Sequence, residues 1–102
     1  MRKVIQGKVY DTETAKLMCG VTCDVYGSDF AWHDTNLYRS PKGQWFLAGE
    51  GNGFSMWGRD GVGGGGIPGE GIRLLSDDEA RDVLEGEDMD HLIEEYFEVI
   101  EG

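Results

Sequence analysis

Short runs of β-branched and aromatic residues, separated by Gly, Pro, Asp and Ser, occupy the first three quarters of the chain. This pattern is typical of short strands joined by turns. The clearest case is Asn36–Arg39 followed by Gln44–Ala48, with Ser40-Pro41-Lys42-Gly43 between them. Proline presets φ at a turn position, and glycine can adopt positive φ. These residues therefore predict a β-hairpin, and Gly71–Leu75 predicts one more short strand.

Two segments near the N-terminus each allow two interpretations. Lys3–Tyr10 reads as one strand, or as two short strands if Gly7 forms a bulge or a tight hairpin. Ala15–Cys19 predicts a strand, with a short helix beginning at Thr12 as the alternative.

The apolar period changes to a helical one from Ser76 onward. Ser76 and Glu79 have the spacing of a capping box, and a first helix is predicted from there to a stop near Gly86. A second helix is predicted to begin near Asp88, with an apolar stripe facing the core. The stripe consists of Met89, Leu92, Ile93, Tyr96, Phe97 and Ile100.

Together these elements predict a single α+β domain over residues 1–102. Its core would be a small antiparallel, meander-like sheet of four to five strands, with two C-terminal helices packed on one face. Residues 1–75 would form the sheet with a Gly-rich loop at 49–71, and residues 76–101 an acidic helical part. The stripe of the last helix would cover Trp45 and Leu47.

Charge is distributed very unevenly along the chain, whose formal net charge is −11. Thirteen of the 20 acidic residues lie in residues 70–102, where Arg73 and Arg81 are the only bases. An acidic lobe of this kind repels nucleic acid and attracts basic surfaces. We therefore expect no direct binding of DNA or RNA. The charged N-terminus and the lack of a long apolar run predict no signal peptide, no membrane span and a cytoplasmic location.

The glycine tract invites a comparison with nucleotide-binding loops. Gly61–Gly66 matches G-x-G-x-x-G by count, but that fingerprint requires a helix directly after it. Ile67-Pro68-Gly69 follows instead, so phosphate binding and a nucleotide cofactor are not expected. No spacing of Ser, His and acidic residues resembles a catalytic constellation, and the chain is predicted not to be an enzyme.

Cysteine and histidine offer little for a metal. Cys19 and Cys23 are three residues apart, and His33 and His91 are the only histidines. Structural zinc sites usually have closer cysteine pairs and a second pair of ligands downstream. We predict no metal site and no disulfide.

The predicted helices carry a stripe of one charge sign, for which we weigh two interpretations. The simpler one is a solvated face. The other is a mimic of a nucleic-acid phosphate row that occupies a basic channel in another protein, since carboxylates on consecutive helical turns lie about 6 Å apart. The partner-binding residues in this second interpretation are Asp78, Asp82, Glu85, Asp90, Glu94, Glu95 and Glu98.

Aromatic residues of the Gly-rich loop supply a different binding hypothesis. Phe54 and Trp57 lie among glycines, and exposed aromatic side chains frequently dominate binding energy at protein interfaces. They would serve an ordinary protein-binding module or a virion accessory protein.

Four segments also carry a resemblance that covers nearly the whole chain: Val9–Ala15, Leu37–Arg39, Gly43–Gly51 and Ile72–Ala80. The chain resembles a family of small acidic proteins from phages, plasmids and integrated elements of Gram-positive bacteria. The resemblance implies no catalytic residue. It implies an inhibitor of host defence in the host bacterial cell. Taken with the acidic stripe, this predicts a host protein effector with a basic surface as the partner, and we expect the chain itself to be a monomer or a homodimer. A CRISPR complex is the first such effector to consider, which would make the chain an anti-CRISPR protein.

Overall fold

The computed structural model describes the backbone of residues 1–102 and every side chain except that of Val62. Eight strands and two α-helices follow one another, with one 3-10 turn at Val62–Gly64. In chain order they are β1 (Arg2–Ile5), β2 (Lys8–Asp11), β3 (Lys16–Val21), β4 (His33–Arg39), β5 (Trp45–Gly51), β6 (Arg59–Asp60), β7 (Gly66–Ile67), β8 (Gly69–Leu75), α1 (Asp77–Gly86) and α2 (Asp90–Tyr96).

The main sheet has four antiparallel strands in the order β3-β4-β5-β8. Neighbours in this sheet follow one another along the chain, apart from the small β6–β7 ribbon inserted before β8. The predicted α+β class, with a meander-like antiparallel sheet and two C-terminal helices, is confirmed.

The predicted β4–β5 hairpin is present, and its turn has the expected chemistry. The Ser40 N–H donates to the Gln44 carbonyl oxygen at 2.8 Å, and the Gly43 N–H donates to the Ser40 carbonyl oxygen at 2.9 Å. Gly43 has φ of 93°, a conformation that costs glycine little because it has no Cβ.

The N-terminal segment forms two strands rather than one. Gln6 and Gly7 both have positive φ, as in a two-residue hairpin turn. The resulting β1–β2 hairpin covers one face of the main sheet, where Tyr10 meets Phe46 edge to face at 5.7 Å and Phe46 stacks on Tyr38 at 5.4 Å. The strand interpretation of Ala15–Cys19 is also correct, with the strand beginning one residue later.

The other face of the sheet carries the larger core, under the two helices. Ala80 and Leu84 of α1 are fully buried, and Trp45 contacts the C-terminal end of α2. The buried residues of this core are Cys19, Leu37, Trp45, Leu47, Trp57, Leu75, Ala80, Leu84, Leu92 and Ile93. No helix in the described part of the chain is long and apolar enough to cross a membrane.

Helix α1 begins as predicted. The Ser76 hydroxyl oxygen accepts from the Glu79 N–H at 3.1 Å, and a Glu79 carboxylate oxygen accepts from the Ser76 N–H at 2.9 Å. This reciprocal capping box satisfies two backbone donors that the first turn would otherwise leave open.

Helix α2 is much shorter than predicted, which corrects the assignment of Ile100 to the buried stripe. Phe97 is already extended, at φ −130° and ψ 152°, and its ring stacks on Trp45 at 5.6 Å. Ile100 is 89% exposed. A longer helix would place Glu98 and Glu101 at its negative dipole end, where acids destabilise the helix. The packing of Phe97 and this charge effect both favour an early stop.

The predicted Gly-rich loop over residues 49–71 is also too long. Gly49–Gly51 belongs to β5 and Gly69–Gly71 to β8, and these strands pair in register down to Gly51 and Gly69. Only residues 52–68 leave the main sheet. Part of this excursion is ordered as the β6–β7 ribbon, so it is not a structureless loop.

Candidate protein-binding surfaces

The outer side of α1 is acidic because its apolar residues are confined to the inner side. Ala80 and Leu84 face the sheet. At 3.6 residues per turn, Asp78, Asp82 and Glu85 lie on the opposite side of the helix. All three are exposed.

Helix α2 continues this arrangement for one turn. Leu92 and Ile93 are buried, whereas Asp90 and Glu94 point outward and Glu95 flanks them, all exposed. Glu98 is exposed but lies beyond the end of α2. The prediction that Asp90, Glu94 and Glu98 form one regular row on a helix is therefore wrong for Glu98. The name acidic face is used below for Asp78, Asp82, Glu85, Asp90 and Glu94.

Some acids of the C-terminal part are already engaged within the protein. Asp78 pairs with Arg81 at 2.9 Å, the one ion pair among the described side chains. Glu87 accepts from both the N–H and the hydroxyl of Thr22, each at 2.8 Å. Asp82, Glu85, Asp90 and Glu94 accept no hydrogen bond from any described side chain or backbone group, so their carboxylates face only solvent.

Two pKa shifts occur beside α1. The backbone N–H of Ser76, followed by its hydroxyl, lowers the pKa of Glu79 because both groups stabilise the charged carboxylate. Burial, and then the charge of Glu87, raises the pKa of the Cys19 thiol. The thiol form of Cys19 is therefore favoured, as expected for a structural cysteine rather than a nucleophile.

Trp57 does not belong to an exposed binding surface, contrary to the sequence prediction. It is only 8% exposed, and its indole Nε1 donates to the Thr35 hydroxyl oxygen at 2.8 Å. The ring lies over Gly49 and Gly71, which are register partners on β5 and β8. A Cβ at Gly49 would lie 2.7 Å from the indole nitrogen, so only glycine leaves room for this tryptophan.

Phe54, in contrast, is 65% exposed and is joined by a second aromatic residue, Phe30, which is 68% exposed. Their ring centroids are 5.5 Å apart, and we call these two residues the aromatic pair. The Phe54 N–H donates to the Phe30 carbonyl oxygen at 2.8 Å, which fixes one loop to the other. The Asn52 amide reinforces the connection by donating to the Gly27 and Asp29 carbonyl oxygens.

Phe30 was not among the predicted site residues. It comes from the aperiodic segment before β4, and its position beside Phe54 depends on contacts between residues far apart in sequence. The available signal was the aromatic content of that segment, where Tyr26, Phe30 and Trp32 stand among small polar residues.

The cysteines and histidines are not arranged around a metal. Cys19 is buried in the core, and the Cys23 sulfur accepts from the His33 N–H at 3.4 Å. His33 Nδ1 lies 2.8 Å from the Thr35 hydroxyl oxygen. Among the side chains that the structure describes, no group of three or more His, Cys, Asp and Glu residues could hold a metal ion.

Comparison of the chain with protein-family models, curated proteins and solved structures gave no significant match.

Proposed function

We propose that this protein is an inhibitor carried by a mobile genetic element, and that it acts by binding rather than by catalysis. Its acidic face occupies a basic surface of a host protein that normally holds nucleic acid. The first target class is a CRISPR complex in the bacterial cytoplasm, as the family resemblance implies. Asp78, Asp82, Glu85, Asp90 and Glu94 carry the interaction, with Glu95 and Glu98 at its margin.

The supporting observation is the outward display of unpaired carboxylates. Asp82, Glu85, Asp90 and Glu94 are exposed on two adjacent helices without any described protein partner. Like charges one turn apart destabilise a helix by a few tenths of a kcal/mol per pair. Asp90 lies in the first turn of α2, where the helix dipole favours an acid. Asp82, Glu85 and Glu94 have no such compensation, and a basic partner supplies a physical reason for them.

A second candidate rests on the aromatic pair. Phe30 and Phe54 present two large apolar rings to solvent on loops that are hydrogen-bonded together. Such preorganised aromatic residues are typical anchors of a protein interface. In this alternative the protein is a binding module or a virion accessory protein, and the acids are only a solvated face.

A comparison of three variants separates the two candidates. The first replaces Asp82, Asp90 and Glu94 by lysine. A matched control makes the same charge change elsewhere, with lysine at Glu13, Asp24 and Asp60, which are exposed and distant from the helices in sequence. The third replaces Phe30 and Phe54 by serine. Each is added to a panel of purified CRISPR effector complexes, and the binding of target DNA by the effector is measured.

We expect the wild-type protein and the matched control to block DNA binding, and the helix variant to lose the block. The inhibition should also weaken steeply with salt, because charges at an interface rim are screened over about 8–10 Å. Full inhibition by the helix variant would overturn the acidic-face proposal. Loss confined to the serine variant, with little dependence on salt, would favour the aromatic pair. Failure of the wild-type protein on every effector would reject the target class.

A further inference from the structure

Two cations lie side by side on neighbouring strands of the main sheet, at the end that carries the β4–β5 turn. Lys16 of β3 and Arg39 of β4 are register partners. Side chains directly opposite on antiparallel strands project from the same face, and like charges in such a pair destabilise the sheet. The Tyr96 hydroxyl, and then the charge of Glu95, raise the pKa of Lys16, but no described carboxylate forms an ion pair with Lys16 or Arg39.

Both side chains converge on Tyr96, the last residue of α2. The Lys16 ammonium donates to the Tyr96 hydroxyl oxygen at 3.1 Å and lies 5.8 Å from the ring centroid, so it meets the polar edge of the ring. The Arg39 guanidinium carbon lies 4.9 Å from the same centroid and 5.6 Å from that of Trp45. The two rings meet at an interplanar angle of 87°, and the guanidinium occupies the corner that they form.

Arg39 makes no hydrogen bond and no ion pair with any described group. Its Nε is sealed from solvent without a partner, the one buried side-chain nitrogen or oxygen for which this holds in the described structure. A buried donor without an acceptor is costly, and charged donors are the most costly. The aromatic rings hold the guanidinium in place but cannot accept its in-plane hydrogen bonds.

We propose that Lys16 and Arg39, held by Tyr96, form a binding site for an oxyanion. The ligand is a carboxylate or phosphate group with at least two oxygens. One accepts from the Lys16 ammonium and the other from the terminal N–H groups of the Arg39 guanidinium, which unlike Nε are not sealed from solvent. Such charge-assisted, planar contacts are the strong ones that arginine makes with these groups. The bound anion removes the repulsion between the cations. The site is formed by β3, β4 and the C-terminal end of α2, next to Glu95, and it does not depend on the proposed inhibitory function.

The site is tested by titrating the full-length, nitrogen-15-labelled protein with inorganic phosphate or acetate, against chloride at constant ionic strength. The reporter is the Nε–H resonance of Arg39, assigned with an Arg39→Lys variant. We expect a saturable shift of this resonance, accompanied by a rise in the urea midpoint that chloride does not produce. Saturation by both anions identifies a carboxylate-type site, and saturation by phosphate alone a phosphate site.

Two variants serve as site and control. Lys16→Gln should weaken binding of the anion at least about tenfold, equivalent to about 1.4 kcal/mol. Lys16→Gln also removes the hydrogen bond to Tyr96, so its urea midpoint in chloride should fall slightly. A cooperative unfolding transition that begins above zero urea shows that the variant is folded under the binding conditions, so loss of binding is then not loss of fold. Lys42→Gln makes the same charge change on the neighbouring turn and should bind like wild type.

Three outcomes would each overturn the proposal. In the first, phosphate and acetate shift the Arg39 resonance no more than chloride does. In the second, the shift rises linearly without saturation. In the third, Lys16→Gln and Lys42→Gln weaken binding equally, which would indicate a response to net charge rather than a site.

Discussion

At the scale of single residues, the indole of Trp57 fits against the backbone at Gly49. Trp45 and Leu47 lie under the helices as expected, because both stand at inward positions of a strongly apolar strand. Trp57 was misjudged because it lies in a glycine-rich segment, which suggested an exposed loop. Its burial depends on another glycine: Gly49 on β5 leaves space for the indole, and the ring also lies over the partner position Gly71 on β8. No local pattern reveals such a space.

The glycine at position 49 should therefore tolerate no side chain. A Cβ there would meet the Asp34 carbonyl oxygen and the Trp57 indole nitrogen. We expect Gly49→Ala to lower the unfolding free energy by about 1–3 kcal/mol through overpacking. Gly86→Ala is the control, since nothing lies within 4 Å of its Cβ position, and it should gain about 0.4–1 kcal/mol. Urea unfolding of both variants measures the difference, and equal stabilities would contradict the placement of Trp57.

Phe97 and Ile100 provide a second comparison, between a contact that formed and one that did not. Phe97 is half-buried and stacks on Trp45, so Phe97→Ala should cost about 2 kcal/mol, roughly half the cost for a fully buried phenylalanine. Ile100→Ala should leave the thermal midpoint nearly unchanged because that side chain is exposed. If Ile100→Ala were the more damaging change, the chain after α2 would have to dock elsewhere.

At the scale of elements, the local sequence was sufficient to predict a turn or a helix start wherever the residues that form it lie close together in the chain. Pro41 and Gly43 marked a hairpin, and Ser76 with Glu79 marked the start of a helix, and both were correct. The end of α2 was missed because no glycine or proline marks it. Its position depends on Phe97 turning toward Trp45, and a periodicity argument cannot include that contact.

The capping box gives α1 a testable pH dependence. The folded protein has a lowered pKa at Glu79, so the stabilisation is complete above the ordinary glutamate value and is lost as the pH falls through the lowered value. We expect Glu79→Gln to lose stability at neutral pH and to flatten the pH dependence on the acid side. Urea midpoints between about pH 2 and pH 6 test this. Glu85→Gln is the control, because its carboxylate caps nothing, and a parallel loss in that variant would contradict the assignment.

At the scale of the whole molecule, the sheet separates a hairpin layer from a helical layer of very different charge. The β1–β2 hairpin carries Arg2, Lys3 and Lys8, whereas residues 76–102, which contain both helices, carry 12 of the 20 acids. The sequence disclosed the segregation along the chain but could not place the two groups on opposite faces. That placement follows from Tyr10 packing on Phe46 on one side and from Trp45 meeting α2 on the other.

This concentration of acids should make stability increase with salt. Folding gathers carboxylates on one layer, and their mutual repulsion is screened by added ions. We expect the urea midpoint to rise between about 0.02 M and about 0.5 M sodium chloride, as the Debye length falls from roughly 20 Å to a few ångströms. The variant with lysine at Asp82, Asp90 and Glu94 should rise much less. A wild-type midpoint that falls with salt would indicate that attractive pairs outweigh the repulsion.

The pairing of β5 with β8 also bears on how this chain can change in length. The backbone leaves the sheet after Gly51 and returns at its partner Gly69, so the sheet places no requirement on the number of residues between them. Loop length costs little entropy once a loop is long. Trp57, which is buried, nevertheless holds the first half of residues 52–68 against the core. Insertions and deletions are thus permitted in the second half, between the β6–β7 ribbon strands, which makes this tip the natural point for grafting a foreign peptide or reporter.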